Sequence, residues 1–237
     1  MADRIQTKNV SRCFRTPGGD GSTNDLYALS DISINVPEKT LTVLKGRSGS
    51  GKTTLINILG ALDMPTDGEV FFDGEDITKM SEKERETLRR TKIGFVFQSV
   101  SLIPIMSAYE NVEFALRLAG YEGNLKERAT HCLKLVGLGG RMNHMPQEMS
   151  GGEQQRVAIA RAIAHKPRVI FADEPTAELD SATSMQVMKL FMELVEKEDI
   201  TIVMTTHDRS LMGLGGVLYE LEDGKLISTD KGDESHG

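Results

Sequence analysis

A glycine-rich run between a short apolar stretch and an apolar helical pattern is the feature that most limits how this chain of 237 residues can fold. The run, residues 46–54, has the sequence GRSGSGKTT and follows the strand-like stretch 41–44. It matches the phosphate-loop pattern GxxxxGK[ST], in which glycines let backbone N–H groups point at a phosphate and the following helix adds its positive N-terminus. The alternative is a glycine- and serine-rich turn without a ligand, but the strand before the run and the helix after it favour a nucleotide site.

Two side chains of the run have expected contacts with the nucleotide. In a phosphate loop of this kind, Lys52 meets the β- and γ-phosphate oxygens, and the hydroxyl of Thr53 can bind Mg²⁺. The loop alone predicts a bound nucleotide and not its use. The candidate nucleotide-binding residues of the run are Gly46, Ser48, Gly49, Ser50, Gly51, Lys52, Thr53 and Thr54.

The bulk composition argues against several classes of function. The formal net charge is −7 and the pI is about 5.3, so we expect no general electrostatic attraction to nucleic acid or anionic lipid. No apolar stretch approaches the roughly 20 residues that cross a bilayer, and residues 1–6 lack the apolar core of a signal peptide. Cys13 and Cys132 lie far apart without metal-type spacing, which is typical of reduced thiols. We therefore expect a cytoplasmic protein with no nucleic-acid partner.

The first third of the chain is predicted to be mostly β-sheet. Apolar segments at 5–14, 27–36 and 41–44 are typical of strands, and the polar residues 17–25 predict a surface loop between the first two segments. A further apolar run, residues 70–72, meets Asp73-Gly74, a dipeptide typical of tight hairpin turns.

Helical patterns dominate the middle of the chain. Ser81 and Glu84 form a capping box that predicts a charged helix through Arg90. Residues 108–118 and 125–136 have apolar side chains at three- and four-residue spacing, with a strand-like stretch, 93–97, before them. We therefore expect a helical subdomain after Gln98.

A βαβ pattern follows this helical part. Two short apolar runs, 169–172 and 201–204, flank a helical stretch from about 182 to 197, and this spacing predicts parallel strands. Residues 229–237 are polar and charged, so a disordered tail is expected.

An acidic pair follows the apolar run 169–172. Ligands of α/β proteins bind at the carboxyl ends of parallel strands, so Asp173 can hold Mg²⁺ directly or through water, and Glu174 can orient and deprotonate an attacking water. The alternative is that the pair caps the next helix. A phosphate loop in the same chain favours the catalytic interpretation.

A second candidate anion site lies in the segment MSGGEQQR, residues 149–156. Ser150 and Glu153 form a capping box, which predicts a helix start whatever the function. Gly151 and Gly152 cost helix stability, about 1 kcal/mol each relative to Ala, and fit best where a ligand approaches the backbone closely. This helix end could contact the γ-phosphate of a nucleotide held by another subunit.

With these motifs in this order and spacing, the chain resembles the ATP-binding subunit of ABC transporters, from Ile5 to about Ser228. Residues 149–153 resemble the signature motif of that family. The resemblance implies an α/β fold, a P-loop NTPase with a RecA-like core, an antiparallel β-subdomain and an inserted α-helical subdomain. It also implies a head-to-tail homodimer that encloses two ATP molecules. The expected division of the single domain 1–237 is a core of 1–98 and 165–228, a helical subdomain of 99–164 and a disordered tail of 229–237.

The resemblance also implies roles for residues outside these motifs. Phe14 matches the aromatic residue that stacks on adenine, and the alternative is a core phenylalanine. Gln98 matches the glutamine that reaches Mg²⁺ and the attacking water, and His207 matches the histidine that contacts the γ-phosphate; the alternative for both is a surface residue at a strand end. Asp180 matches the loop that crosses the dimer interface, and the alternative is an ordinary helix cap. The implied catalytic residues are Glu174, His207 and Gln98, the implied Mg²⁺ ligands are Thr53, Gln98 and Asp173, and the implied signature contacts are Ser150, Gly151 and Gly152.

Some residues depart from the common pattern of the family. Met149, Glu153 and Ala177-Glu178 stand where related chains often have other residues, and they put the strength of the interface in question rather than ATP hydrolysis. The segments 46–55, 97–99, 102–104 and 109–112 look most like the lipoprotein-release, macrolide-export and bacitracin-resistance group.

This resemblance implies an ATPase that uses ATP and Mg²⁺ and powers a separate transmembrane permease at the inner face of the cell membrane. The helical subdomain near 102–109 would transmit dimer closure to the permease. The alternatives are a soluble ABC ATPase of DNA repair or translation, a P-loop kinase that phosphorylates a small metabolite, and a nucleotide-binding regulator. The first usually carries a long coiled-coil insertion or a second cassette, which this sequence lacks; the second needs neither the signature segment nor His207; Glu174 argues against the third.

Overall fold

The computed structural model describes residues 2–17, 23–207 and 216–231. They form two compact units, the first within residues 1–85 and 203–237 and the second within residues 86–202. The predicted helical subdomain lies wholly within the second unit, and the predicted division of the domain stays a prediction.

The elements follow the predicted order of a β-rich start, a helical middle and a βαβ segment. The strands are β1 (Asp3–Pro17), β2 (Thr23–Ile32), β3 (Asn35–Pro37), β4 (Leu41–Lys45), β5 (Asp67–Phe72), β6 (Glu75–Asp76), β7 (Ile93–Val96), β8 (Val169–Ala172), β9 (Thr201–Thr206), β10 (Val217–Glu222) and β11 (Lys225–Lys231). The helices are α1 (Lys52–Leu59), α2 (Glu82–Lys92), α3 (Ala108–Ala119), α4 (Leu125–Leu135), α5 (Gly151–Ile163) and α6 (Ser181–Glu198).

The antiparallel sheet of the first unit is built around β1. This strand pairs with β2, with Phe14 opposite Leu26, and on its other edge with β5, with Ile5 opposite Phe72. β3 also pairs with β1, and β6 pairs with β5. The turn between β5 and β6 has φ values of 50° and 80° at Asp73-Gly74, so the predicted hairpin turn is confirmed.

A second group of strands in this unit supports the glycine-rich run. β10 lies parallel to β4, and β11 returns antiparallel to β10. The Tyr219 hydroxyl of β10 donates to the Asn35 carbonyl oxygen at 2.7 Å and accepts from the Asn35 backbone N–H at 3.1 Å. These bonds join the β4–β10–β11 strands to the antiparallel sheet of the same unit.

The expectation of a disordered tail from Thr229 is wrong for its first residues. Thr229, Asp230 and Lys231 belong to β11 and lie opposite Tyr219, Leu218 and Val217 of β10. Backbone pairing with a buried neighbouring strand orders these polar residues, because it supplies hydrogen bonds that do not depend on side-chain polarity. The rest of the predicted tail, and residues 18–22 of the predicted 17–25 loop, lie outside the described residues.

The second unit combines packed helices with a parallel strand pair. Helices α3, α4 and α5 pack against one another, and β7 pairs parallel with β8, with Ile93 opposite Val169. The buried guanidinium of Arg128, on α4, donates to the carbonyl oxygens of Ile163 and Ala164, both at 2.8 Å. Arg128 therefore satisfies the carbonyl groups at the C-terminus of α5.

Within the described ranges, no helix combines the length and the apolar character needed to span a bilayer.

The two cysteines, Cys13 and Cys132, are both free thiols. Burial raises the pKa of Cys132 to about 11, so this thiol is unreactive.

Gly94 sets the distance between β7 and α5. A Cβ atom at this position would lie 2.5 Å from the carbonyl oxygen of Ala162, which is backbone and cannot swing away. We expect Gly94→Ala to lower the free energy of unfolding by about 1–3 kcal/mol, because the helix must shift. Gly140→Ala is the matched control, since its Cβ would meet nothing within 4 Å. Equal denaturant midpoints for the two variants would contradict this packing.

Candidate nucleotide-binding site

The glycine-rich run is a tight loop between β4 and α1. Gly49 and Gly51 have φ of 82° and 99°, in the left-handed region that favours glycine. Gly51 is the N-cap of α1, where no side chain caps the helix, and the first turn contains no acidic residue. The backbone N–H groups at this helix start are therefore suited to bind an anion.

Ser50 and Lys52 bring polar groups into the interior of this loop. The Ser50 hydroxyl is buried and has no hydrogen-bond partner among the described residues, an arrangement that costs free energy unless a ligand completes it. The Lys52 side chain is also buried, and its ammonium Nζ donates to the carbonyl oxygens of Gly46 at 2.8 Å and Arg47 at 3.0 Å. These two bonds hold the positive charge across the loop, where a phosphate would need it.

The β10–β11 hairpin and β2 press against the loop from outside. A Cβ atom at Gly46 would lie 2.4 Å from the Leu221 carbonyl oxygen, and one at Gly51 would lie 2.5 Å from the Ala28 carbonyl oxygen. The turn between β10 and β11 also donates a backbone N–H to the Ser50 carbonyl oxygen at 3.2 Å. Only glycine fits at these two positions, because in each case a backbone carbonyl oxygen occupies the space that a Cβ atom would need.

A cavity of about 330 Å³ opens beside the start of the loop, within the first unit. Its walls include Gly46, Arg47 and His207, so the fold brings this predicted histidine to the predicted phosphate loop. The remaining lining residues are Lys45, Glu220, Leu221, Glu222 and Ile227. The wall contains both cations and carboxylates, and the Lys45 ammonium lies 2.7 Å from a Glu220 oxygen.

Phe14 is a surface residue of β1. Its side chain is 39% exposed, which excludes the alternative of a core phenylalanine. The guanidinium carbon of Arg12 lies 4.6 Å from the centre of the ring. An exposed ring of this kind is available for stacking on a base.

Asp173, Glu174 and Gln98 lie at the carboxyl ends of the paired strands β7 and β8 in the second unit. The backbone N–H of Asp173 donates to the Val96 carbonyl oxygen at 2.9 Å, so it extends the pairing, and the exposed Gln98 follows two residues after Val96. Glu174 has φ of 45°, in the left-handed region that non-glycine residues rarely adopt. Backbone strain of this kind is concentrated at functional sites.

The N-terminus of α5 carries the predicted second anion site. The Ser150 hydroxyl accepts from the Glu153 backbone N–H at 3.3 Å, and the Glu153 carboxylate accepts from the Ser150 backbone N–H at 2.9 Å, which confirms the capping box. The backbone hydrogen bond from Ser150 holds the pKa of Glu153 below its usual value. An Arg141 nitrogen lies 3.3 Å from the same carboxylate. Its positive charge therefore offsets the negative charge that Glu153 places at this helix start.

Gly152 and Asp180 come together at the N-termini of α5 and α6. A Cβ atom at Gly152 would lie 2.5 Å from the Thr183 methyl carbon. The Asp180 carboxylate accepts from the backbone N–H groups of Ala182 and Thr183, both at 3.0 Å, and from the Thr183 hydroxyl at 2.7 Å. The hydrogen bond from the Thr183 side chain is the largest of those that lower the pKa of Asp180. Asp180 is therefore a helix cap, and its role at a dimer interface stays a prediction.

The described part of the chain carries no clustered metal centre of the usual side chains. Across residues 2–17, 23–207 and 216–231, no group of three or more His, Cys, Asp or Glu side chains is arranged to hold a metal ion. The predicted Mg²⁺ ligands are of another kind, a hydroxyl, an amide and one carboxylate, which are all hard oxygen donors.

Three features together are typical of one class of ATP-binding proteins: the phosphate loop, the acidic pair Asp173-Glu174 and the glycine-rich start of α5. Comparison with known protein families gives the same class. The family described as ABC transporter matches residues 29–177. The chain therefore belongs to the ABC transporter family, as an ATP-binding subunit with the α/β P-loop NTPase fold.

Its relatives indicate which group of the family the chain resembles. The lipoprotein-releasing system ATP-binding protein LolD of Aquifex aeolicus is 42% identical over 96% of this chain and 97% of that protein. The macrolide export ATP-binding/permease protein MacB of Syntrophobacter fumaroxidans is 44% identical over 94% of this chain, which spans 31% of that longer protein. The chain belongs with this lipoprotein-release and macrolide-export group.

A solved structure supports the fold and the chemistry of the family. The ATP-binding cassette MJ0796 of Methanocaldococcus jannaschii, in a dimeric post-hydrolysis state bound to ADP and Pi, superposes with a TM-score of 0.86. It is 40% identical, and the match covers 96% of this chain and 98% of that one.

Sequence reasoning missed the β10–β11 hairpin that supports the phosphate loop. Asp223-Gly224, with φ of 47° and 74°, is the same type of turn signal as Asp73-Gly74 and could have located it. The contacts of Arg12 were also missed, and no local pattern predicts them.

Proposed function

We propose that this chain is an ATP-hydrolysing motor that drives a separate transmembrane permease through ATP-dependent closure of a homodimer. One observation carries the proposal: the loop interior combines a buried Ser50 hydroxyl, which no described residue hydrogen-bonds, with a Lys52 ammonium held across the loop. Such a cradle is suited to the phosphates of a nucleotide. The relatives in the ABC family support ATP as that nucleotide.

The residues take the following roles in hydrolysis. Lys52 binds the β- and γ-phosphate oxygens, and Glu174 accepts a proton from the attacking water. Gln98 orients that water, and His207 contacts the γ-phosphate. Thr53, Gln98 and Asp173 would hold Mg²⁺, which when bound neutralises negative charge on the phosphates.

Two copies of the chain complete each site. We infer that Ser150, Gly151 and Gly152 of one copy contact the γ-phosphate held by Lys52 of the other, so that ATP draws the copies together and hydrolysis releases them. The Arg141 charge beside Glu153 supports this role, because it offsets a carboxylate at a helix start that must attract phosphate.

The loop before α3 supports docking to a permease at the inner face of the cell membrane. Ile105 is 83% exposed at its tip, so this apolar side chain is available to a partner. The loop is rigid, because the buried Asn111 amide accepts from the Ile103 backbone N–H at 2.8 Å and donates to the Met106 carbonyl oxygen at 2.9 Å. A rigid apolar tip can transmit closure of the dimer to a partner.

The nature of the phosphate acceptor tests the proposed reaction. We expect the purified chain with labelled ATP, Mg²⁺ and a mixture of small metabolites to release free phosphate, since water is the acceptor that Glu174 activates. The rate per chain should rise with protein concentration, because the active form contains two copies. Transfer of label to a small metabolite without free phosphate would instead identify a kinase, and a rate per chain independent of concentration would contradict the dimeric mechanism.

A further inference from the structure

The Phe14 ring contacts Arg12, and an ion pair between Arg12 and Asp63 links this contact to the segment that follows the phosphate-loop helix. We propose that Arg12 and Asp63 are positioning residues that fix the Phe14 ring as a platform for the nucleotide base, an inference that rests on the proposed function. Their role is to set the spacing between the base platform and the phosphate loop before the nucleotide binds.

The ion pair is bidentate and geometrically restrictive. Arg12 Nε donates to one Asp63 carboxylate oxygen and Nη2 to the other, both at 2.9 Å. Both side chains are partly buried, with exposures of 24% and 31%. Parallel bonds from a planar guanidinium to a carboxylate fix orientation as well as distance, which a single bond from a lysine cannot do.

Asp63 connects this pair to the phosphate-loop helix. It lies four residues after Leu59, the last residue of α1, and its backbone N–H donates to the Asn57 carbonyl oxygen at 3.1 Å. The Met64 backbone N–H donates to the Asp63 carboxylate at 2.7 Å. The carboxylate is therefore fixed relative to the end of the helix that begins at the loop.

Arg12 in turn covers one side of the Phe14 ring. Its guanidinium carbon lies 4.6 Å from the ring centre, within the range of a cation–π interaction. Phe14 nevertheless stays 39% exposed as a residue. Stacking needs only one π face, so Arg12 can restrict the ring while the other face receives a base.

The backbone around Phe14 is held by the same segment. Pairing of β1 with β2 is irregular between Val10 and Cys13, which is the local disruption of a β-bulge. The segment after α1 uses the backbone groups of this region: Thr66 N–H donates to the Ser11 carbonyl oxygen at 2.8 Å, and the Thr66 hydroxyl accepts from the Cys13 backbone N–H at 3.0 Å. Ion pair and backbone bonds thus tie the Phe14 region to the end of α1 on both sides of Arg12.

This arrangement is expected to reduce the ordering needed when a nucleotide binds. A free phenylalanine ring on a surface strand would lose rotamer freedom on stacking, and a ring that is already held loses less. The benefit applies only to ligands with a base, because the phosphate contacts do not involve Phe14. Ligands with and without a base therefore separate this role from a general structural one.

The experiment measures affinities for ATP and for inorganic triphosphate by titration calorimetry. We expect Phe14→Ala to weaken ATP binding about 10-fold and Arg12→Ala to weaken it about 3- to 5-fold. The double variant Arg12→Ala/Phe14→Ala should match Phe14→Ala alone, because Arg12 acts through the ring. None of these variants should alter the affinity for triphosphate.

Further variants keep the test sharp. Arg15→Ala removes the same charge one residue beyond Phe14, where the exposed arginine pairs with Asp25, and it should leave ATP affinity unchanged. Asp63→Asn keeps the shape of the side chain, and it should weaken the binding of ATP but not that of triphosphate. If Arg12→Ala fails to fold, Arg12→Lys tests the same point, since it keeps the charge without the bidentate geometry and should also weaken ATP selectively.

The contrary outcomes are distinct. A further loss of ATP affinity in the double variant, an equal loss for triphosphate, or full ATP affinity in Phe14→Ala would overturn the inference while ATP binding itself stands. Absence of ATP binding by the unmodified chain would overturn the proposed function and this inference with it.

Discussion

Glu174→Gln should bind ATP with wild-type affinity and lose turnover by about 10²–10⁴-fold. The amide has the shape of the carboxylate but cannot accept a proton from water at neutral pH, so only the step after binding is affected. Because hydrolysis is the step that we propose parts the two copies, the variant with ATP and Mg²⁺ should accumulate as a dimer. Phosphate release and size-exclusion chromatography with ATP in the running buffer measure the two effects.

Glu174 stands where the backbone turns away from β8. Its φ of 45° departs from the extended backbone of β8 immediately beyond Asp173, so the chain turns at this residue. Glu196→Gln, at an exposed position on α6, is the control and should leave turnover and oligomeric state unchanged. Full activity of the Glu174 variant would refute its assignment as the base.

Much of the candidate site could be predicted because its signals are local. The phosphate loop, the capping box of Ser150 and Glu153 and the end of the strand before Asp173 each depend on residues within a few positions. Such patterns locate a motif along the chain but not its supports. The closeness of Leu221 to Gly46, and of Ala28 to Gly51, joins residues far apart in sequence.

The strand lengths show the same limit. The apolar pattern predicts a first strand that ends at Phe14 and a second strand that begins at Tyr27. The pairing continues to Pro17 and Thr23, because backbone hydrogen bonding in an antiparallel hairpin needs no apolar side chain. The prediction of disorder at the polar residues 229–231 is wrong for the same reason.

Arg12 illustrates a role that only the fold could reveal. In the sequence it is one cation among 28 lysines and arginines, with no motif around it. Its proposed role comes from its contacts with Asp63 and with the Phe14 ring, which the fold brings to one place. Motif residues such as Phe14 can be matched to a family, whereas the residues that hold them depend on packing.

Lys52→Ala should show the largest loss of nucleotide affinity. Hydrogen bonds to charged groups contribute about 1.5–3 kcal/mol, so we expect the dissociation constant for ATP to rise about 10- to 100-fold. The loss has two sources in this structure. The ammonium that would meet the phosphates is removed, and the Gly46 and Arg47 carbonyl oxygens lose a donor and face the incoming anion.

The effect of Lys52→Ala on the affinities for ATP and for inorganic triphosphate should show that the loop binds phosphate. Lys52→Ala should weaken the binding of inorganic triphosphate as much as that of ATP, in contrast to Phe14→Ala, because the proposed contact of the lysine is with phosphate and not with the base. Lys8→Ala removes an equal charge from an exposed position on β1, where the lysine lies over the Phe71 ring, and should leave both affinities unchanged. Calorimetric titration of the three variants with both ligands measures these effects. Unchanged affinity of Lys52→Ala for ATP would mean that the phosphates bind elsewhere, since no neutral side chain can replace a charge held 2.8 Å and 3.0 Å from two loop carbonyls.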